Sequence, residues 1–143
     1  MTAPTTLIIL GASGDLTSRL LLPAIGQLLQ REPGRDVVLR GAGSDAWTSR
    51  HWHEALRTGA ATVGAEDQLE RLAGSAYTQA DVTTADDLQR LLGDAEGKVV
   101  LYFALPPAVT AKACAALATI SAPADLVLAL EKPFGTDEAS ARC

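Results

Sequence analysis

Short apolar runs alternate along this chain with longer stretches in which apolar residues recur every three or four positions, and the two periods separate strands from helices. Thr6–Leu10 is a mainly apolar run that stops at Gly11, the pattern of a strand buried on both faces. Beyond Gly14-Asp15, the positions Leu16, Leu20, Leu21, Ile25, Leu28 and Leu29 follow helical spacing; Pro23 lacks an N–H, so the helix is expected to kink or split there. Glu32-Pro-Gly-Arg35 reads as a turn and Asp36–Arg40 as a second strand ending at Gly41. Thr48–Thr58 and Ala65–Leu72 read as helices joined by a loose stretch of small residues, Gly59–Gly64. Tyr77–Ala80 is a short third strand. Thr84-Ala-Asp-Asp87 has the capping-box form, and Leu88, Leu91 and Leu92 line the face of the helix it opens. Val99–Ala104 is the fourth strand, Pro107–Ser121 an Ala-rich helix with Pro in its first turn, and Leu126–Leu130 the fifth strand. A further helix is expected from Thr136. Continuous apolar strands alternating with helices predict a parallel sheet covered on both faces: a Rossmann-like, doubly wound α/β fold, residues 1–143 forming one domain with strand order 3-2-1-4-5.

Composition narrows the function classes. The 143 residues are 48% hydrophobic and 20% charged, which excludes a disordered chain, and the longest apolar stretch, Val99–Leu105, is far short of the ~20 residues that span a bilayer. Met1–Thr6 holds no basic residue and leads into only four apolar ones, so no secretory signal is expected and the cytoplasm is the expected location. The net charge is −5 with basic residues scattered singly, against a nucleic-acid partner. Cys114 and Cys143 make no disulfide framework or metal spacing and are expected as reduced thiols. His51 and His53 stand two apart on a helix, on different sides, so they make no metal pair.

Three clusters carry candidate chemistry. Gly11-Ala-Ser-Gly-Asp-Leu-Thr17 joins the first strand to the first helix with the spacing of a dinucleotide loop: Gly11 permits the tight turn, and Gly14 lets backbone N–H groups approach a pyrophosphate at the helix N-terminus. Thr17 stands where a third glycine would allow close packing of helix on strand. Asp15 suits a helix N-cap. After the second strand, Ser44 and Asp45 can bond a ribose, whereas Arg40 and Arg50 are near enough in sequence to serve a 2′-phosphate, so both cofactor forms stay open. Tyr102-Phe-Ala-Leu-Pro-Pro107 leaves the fourth strand at the switch point of the sheet, as a crevice wall or simply as turn chemistry. Glu131-Lys-Pro-Phe-Gly135 leaves the fifth strand on the same rim and presents Lys132 on a stiff turn, either to an anionic or hydroxylated substrate or to a neighbouring carboxylate.

Together these clusters resemble the glucose-6-phosphate dehydrogenase family: Leu10-Gly-Ala-Ser-Gly-Asp-Leu16 with Arg19 and Pro23, then Tyr102–Pro107, then Glu131–Gly135, in the family's order. The resemblance implies oxidation of glucose 6-phosphate to 6-phosphogluconolactone with hydride transfer to NADP or NAD, in the pentose phosphate pathway, by a homo-oligomeric full-length protein. It implies that Gly11, Ala12, Ser13, Gly14, Asp15 and Leu16 form the dinucleotide loop, that Ala104, Leu105 and Pro106 line the nicotinamide end, and that Lys132 reaches sugar and cofactor; Ser44, from its place after the second strand, is the further residue expected at the cofactor. Two departures are Thr17 for the usual Ala and Gly43 for the Arg of NADP-preferring members. Family members also carry a following α+β domain with an Arg-Ile-Asp-His-Tyr type motif and the general-base His, neither of which this sequence contains. The expectation is therefore a cofactor-binding domain without catalytic residues, inactive by itself. The competing readings are a short-chain dehydrogenase relative, for which the Tyr-x-x-x-Lys pair is missing, and a non-catalytic nucleotide-sensing module.

Overall fold

A computed structural model describes residues 5–14, 17–32, 34, 36–72, 74–93, 95, 97–120 and 126–130. The strands are β1 (Thr5–Leu10), β2 (Val37–Gly43), β3 (Ala76–Gln79), β4 (Lys98–Phe103) and β5 (Val127–Leu130), and the helices α1 (Leu22–Arg31), α2 (Ser49–Thr62), α3 (Ala85–Gly93) and α4 (Pro107–Leu117). All neighbouring strands run parallel in the order β3-β2-β1-β4-β5, as expected. The final strand-end motif and the helix expected from Thr136 fall outside the described residues.

β1 is central, and Ile8, Ile9 and Leu10 are buried in succession because both faces of the sheet are covered. Ile8, Leu10, Ala42, Leu101 and Phe103 pack with Leu88 and Leu92 of α3 and Ala113 and Leu117 of α4. On the opposite face, Ile9 and Leu39 pack with Leu22, Ile25 and Leu29 of α1 and with Trp52 and Leu56 of α2. Each of the larger aliphatic and aromatic residues so buried is worth about 1.5–3 kcal/mol.

The first helix splits as its proline predicts. Thr17–Leu21 forms a π-helical turn and α1 begins at Leu22, so Pro23 lies in a first turn, where its missing N–H costs little. The C-terminal end of α1 is held from outside: Arg71 donates from Nη1 to the carbonyl of Leu29 (2.7 Å) and from Nη2 to that of Glu32 (3.3 Å).

Several boundaries differ from the sequence reading. β2 runs through Gly41 to Gly43, because the glycines there answer crowding from neighbouring elements: a Cβ on Gly41 would stand 2.8 Å from both Ala12 Cβ and Trp52 Cη2. α2 continues through Gly59 to Thr62, where a loose stretch was expected, since α1 lies so close that a Cβ on Gly59 would be 2.6 Å from Leu22 Cβ. Glu66–Leu72 is a 3₁₀ helix, and α4 stops at Leu117. Cys114 is buried in α4 and disulfide-bonded, which corrects the expectation of a reduced thiol there; separation in sequence does not tell which cysteines a fold brings together.

A buried relay locks α2 to the sheet. Trp52, with no exposed surface, donates from Nε1 to Ser75 Oγ (2.9 Å), and Ser75 Oγ donates to the carbonyl of Leu39 (2.5 Å).

Candidate functional site

The carboxyl ends of β1, β2 and β4 share one level of the sheet, with Leu10 opposite Ala42 and Phe103. The chain leaves this rim differently on each strand, and the result is a cleft of about 310 Å³. One wall is the loop after β1, with Gly11, Ser13 and Gly14; a second is Gly43 and Ser44 at the end of β2. Ala80–Thr83 after β3 and Ala104, Leu105 and Pro106 after β4 complete it, with Val109 of α4 at its base. An adjoining hollow of about 460 Å³ extends past Ser44, Gln79, Asp81 and Asp87.

The loop after β1 is shaped by one carbonyl and one glycine. The N–H groups of Gly11 and Ala12 both donate to the carbonyl of Ala42, at 2.8 and 2.9 Å, which continues the β1–β2 ladder into the turn. Gly11 then adopts φ +85°, and a Cβ on it would run into the carbonyl oxygen of Ala104 and stand 2.7 Å from Leu105 Cδ2. The carbonyl of Gly11 accepts from Gly14 N (2.9 Å) and Thr17 Oγ1 (3.3 Å). Thr17 thus takes the third-glycine position as a fully buried tie between helix and loop. Gly14 faces the cleft with space beside it: among the described residues, Gly11 O at 3.1 Å is the neighbour that a Cβ would meet.

The turn after β4 is set by Pro106 and Pro107. Pro106 caps α4 in an extended conformation and its carbonyl accepts from Thr110 N (2.9 Å), while buried Thr110 donates from Oγ1 to the Leu105 carbonyl (3.4 Å). Ala104 N donates to the carbonyl of Leu10 (2.9 Å), so this wall is fastened to β1 beside the glycine loop.

At the β2 side, Ser13 Oγ donates to Asp45 Oδ2 at 2.6 Å and Tyr77 Oη donates to the Asp45 carbonyl at 2.7 Å. Gln79 Nε2 donates to the Ser44 carbonyl at 3.2 Å. Burial first, and then the Asp45 carboxylate, push the Tyr77 hydroxyl above its usual pKa against the opposing pull of Ser13, so it stays a hydrogen-bond donor throughout the physiological range. Tyr77 lies opposite Gly41 in the β2–β3 register, two residues before Gly43, and a Cβ on Gly43 would be 2.9 Å from Tyr77 Oη and 3.1 Å from Ser13 Oγ.

After β3, Asp81 Oδ1 accepts from Thr83 Oγ1 (2.5 Å) and Thr83 N (3.0 Å), and these bonds hold its carboxyl below the usual range. Asp87 Oδ2 accepts from Asp81 N (2.6 Å), the larger cause of its own lowered pKa, and Oδ1 accepts from Arg90 Nη2 (2.6 Å). The capping box is therefore half formed: Thr84 Oγ1 accepts from Asp87 N (3.4 Å), while the Asp87 carboxylate serves Asp81. Both carboxylates are bonded more strongly folded than unfolded, so this strut is fully in place above the ordinary carboxylate range and is lost as the pH falls through the lowered values. Protection factors at the Asp81 and Thr83 amides, taken relative to the intrinsic exchange rate at each pH, should fall on acidification, and Asp87→Asn should already show the lower Asp81 protection at neutral pH; equal protection in the two proteins would mean the strut carries no load.

Of the residues proposed from sequence, Gly11, Ser13, Gly14, Ser44, Ala104, Leu105 and Pro106 meet at the cleft, with Ala12 buried beneath the loop. Asp15, Leu16 and Lys132 lie outside the described residues. Arg40 sits in β2 three residues before Gly43, roughly 10 Å back from the rim, and exposed Arg50 pairs with Glu54 at 3.6 Å. His51 stacks on Trp47 with ring centres 4.0 Å apart, and His53 faces a hollow lined by Leu69 and Leu72. Among the described residues lining the cleft none is basic. Sequence reasoning missed Tyr77 and Thr83 as parts of the site; the Asp81-Val82 pair after β3 was the visible pointer to the second.

The chain matches the family described as "Glucose-6-phosphate dehydrogenase, NAD binding domain" over residues 8–143. It is 31% identical to glucose-6-phosphate 1-dehydrogenase 1 of Mycobacterium bovis, over 94% of this chain and 30% of that protein. It is 30% identical to the GDH/6PGL endoplasmic bifunctional protein of Oryctolagus cuniculus, over 96% of this chain and 20% of that protein. Its fold is similar to the crystal structure of glucose-6-phosphate 1-dehydrogenase from Mycobacterium avium, with TM-score 0.81 and 27% identity over 99% of this chain and 32% of that one. The chain thus spans about a third or less of the length of the proteins it matches.

Proposed function

Because this chain belongs to the NAD-binding domain family of glucose-6-phosphate dehydrogenase, a family of oxidoreductases that use NADP or NAD, we propose that residues 1–143 serve as the dinucleotide-holding domain of an enzyme that oxidises glucose 6-phosphate to 6-phosphogluconolactone. The observation that carries this reading is the meeting of the glycine loop and the Ala104–Pro106 turn in one cleft at the switch point of the sheet. The residues fit the group: Gly11 brings the loop against the β4 turn, Gly14 leaves space at the loop, and the cleft opens into a second hollow past Ser44.

In this reading Gly11, Ala12, Ser13, Gly14, Asp15 and Leu16 would hold the pyrophosphate, Ser44 the adenosine ribose, and Ala104, Leu105 and Pro106 the nicotinamide end. By the resemblance alone, Lys132 would bond the sugar and contact the cofactor. When bound, the cofactor supplies the hydride acceptor. This chain's own contribution would be to hold and orient the cofactor between the glycine loop and the β4 turn. The proton of the C1 hydroxyl needs a base, worth about 10²–10⁴ in rate, and neither His51 nor His53 lines the cleft. The base and sugar-phosphate site belong to a following domain, in a homo-oligomeric cytoplasmic enzyme of the pentose phosphate pathway.

The purified 143-residue chain is expected to bind a nicotinamide dinucleotide in calorimetry, to lose that binding on Gly14→Val, and to form no NADH or NADPH from glucose 6-phosphate. Absence of binding by either cofactor overturns the reading of the cleft. Sustained turnover abolished by Lys132→Ala overturns the placement of the catalytic groups.

A further inference from the structure

We propose that this site selects NAD over NADP, and that Asp45, fixed between Ser13 and Tyr77, sets the choice. The inference rests on the dinucleotide occupying the cleft as above, with the adenosine ribose beside the end of β2.

A 2′-phosphate is held by a cation reaching it from the end of the second strand, whereas free ribose hydroxyls are held by a carboxylate there. Here the last residue of β2 is Gly43, and the place of its side chain is taken. Tyr77 Oη and Ser13 Oγ stand 2.9 and 3.1 Å from where a Cβ would be, and both are anchored, Ser13 to the carboxylate of Asp45 and Tyr77 to its carbonyl. The same two hydroxyls that fill the position therefore fix the acid two residues on, at its side chain and at its backbone.

Asp45 is exposed at the rim and bonded to Ser13, which lines the cleft. An ionised carboxylate offers about four lone-pair positions, and the Ser13 hydroxyl uses one of them, so acceptor capacity for a vicinal diol remains. Around it, Asp81 and Asp87 line the adjoining hollow, Asp87 paired with Arg90 at 2.6 Å, and no described residue lining either cavity is basic. Neither Arg40, three residues before Gly43 in β2, nor Arg50, exposed and 3.6 Å from Glu54, lines either cavity. A 2′-phosphate adds about 1.5–2 negative charges where the described residues supply an acid and no partner.

Loss of a single charge-assisted contact corresponds to roughly ten- to a hundredfold in affinity. Calorimetric titration of the chain with NAD⁺ and NADP⁺ should show NAD⁺ binding at least tenfold more tightly, with the gap narrowing as salt is raised. Asp45→Asn keeps an acceptor for Ser13 and removes the charge, so it should weaken NAD⁺ and tighten NADP⁺, bringing the two within a few-fold; Asp45→Ala should do the same in a protein with no replacement acceptor. Wild-type preference for NADP⁺, or a preference for NAD⁺ that both variants leave unchanged, overturns the assignment to Asp45 while the dinucleotide site stands. Binding of neither cofactor overturns both readings together.

Discussion

Gly11→Ala should destabilise the domain by about 2–5 kcal/mol, read as a shift of the urea midpoint at unchanged slope. Two independent terms add. A left-handed backbone costs a residue with a Cβ about 1–2 kcal/mol, and Gly11 sits at φ +85°. The methyl group would also overlap the carbonyl oxygen of Ala104 and crowd Leu105 Cδ2, and overpacking against fixed backbone costs about 1–3 kcal/mol. Against a total stability of about 5–15 kcal/mol, that is a large share. The carbonyl cannot retreat, because Ala104 N is bonded to Leu10 on the same strand pair that carries Gly11. Gly14→Ala is the informative contrast: Gly14 is not left-handed, and a Cβ there meets the Gly11 carbonyl at 3.1 Å, so its effect on the urea midpoint should be much the smaller. Equal midpoints for wild type and Gly11→Ala would show that the β1 and β4 turns do not touch as described.

Trp52→Ala should cost about 3–5 kcal/mol, the range for removing a buried aromatic. Trp52 has no exposed surface, and its loss opens a void between α2 and the sheet while Ser75 Oγ loses its donor. Trp52→Phe keeps part of the volume and should cost less, which separates packing from the indole hydrogen bond. Coupling gives a sharper check, because Gly41→Ala is crowded by Trp52 Cη2 and by Ala12 Cβ, each at 2.8 Å. The smaller ring in Trp52→Phe relieves the first contact but not the second. Destabilisation by Gly41→Ala should thus be smaller in the Trp52→Phe background by about 0.5 kcal/mol or more, and strict additivity would exclude the contact.

The five strands and their order were legible because each is a short apolar run and the alternation with helices admits few topologies. The glycine loop and the Tyr102–Pro107 turn were legible for a local reason: their chemistry is written in consecutive residues. What escaped depends on contacts between segments. Gly41 and Gly43 read as the end of a strand, since glycine is a poor strand former, yet β2 continues through them because Trp52, Tyr77 and Ser13 occupy the space a side chain would take. The stretch from Gly59 to Thr62 read as loose for the same reason and is helical because α1 lies against it. Tyr77 looked like an ordinary strand residue; its bond to Asp45 follows from the β2–β3 register, which spacing along one strand cannot reveal. Asp87 fits a capping box by sequence, and only the turn after β3 shows that its carboxylate has a better donor in Asp81.

The central place of β1 has a consequence during synthesis. One of its edges is completed by β2 soon after it is made, but the other waits for Lys98–Phe103. At about 5–20 residues per second, the roughly ninety residues between Leu10 and Lys98 take on the order of 5–18 s to emerge. Throughout that interval a nascent chain carries an apolar strand with one row of backbone donors and acceptors open, the form most prone to pairing with another copy. Ribosome-stalled chains in which β4 has not yet left the exit tunnel should therefore self-associate or recruit a holdase, and those in which Phe103 has emerged should not.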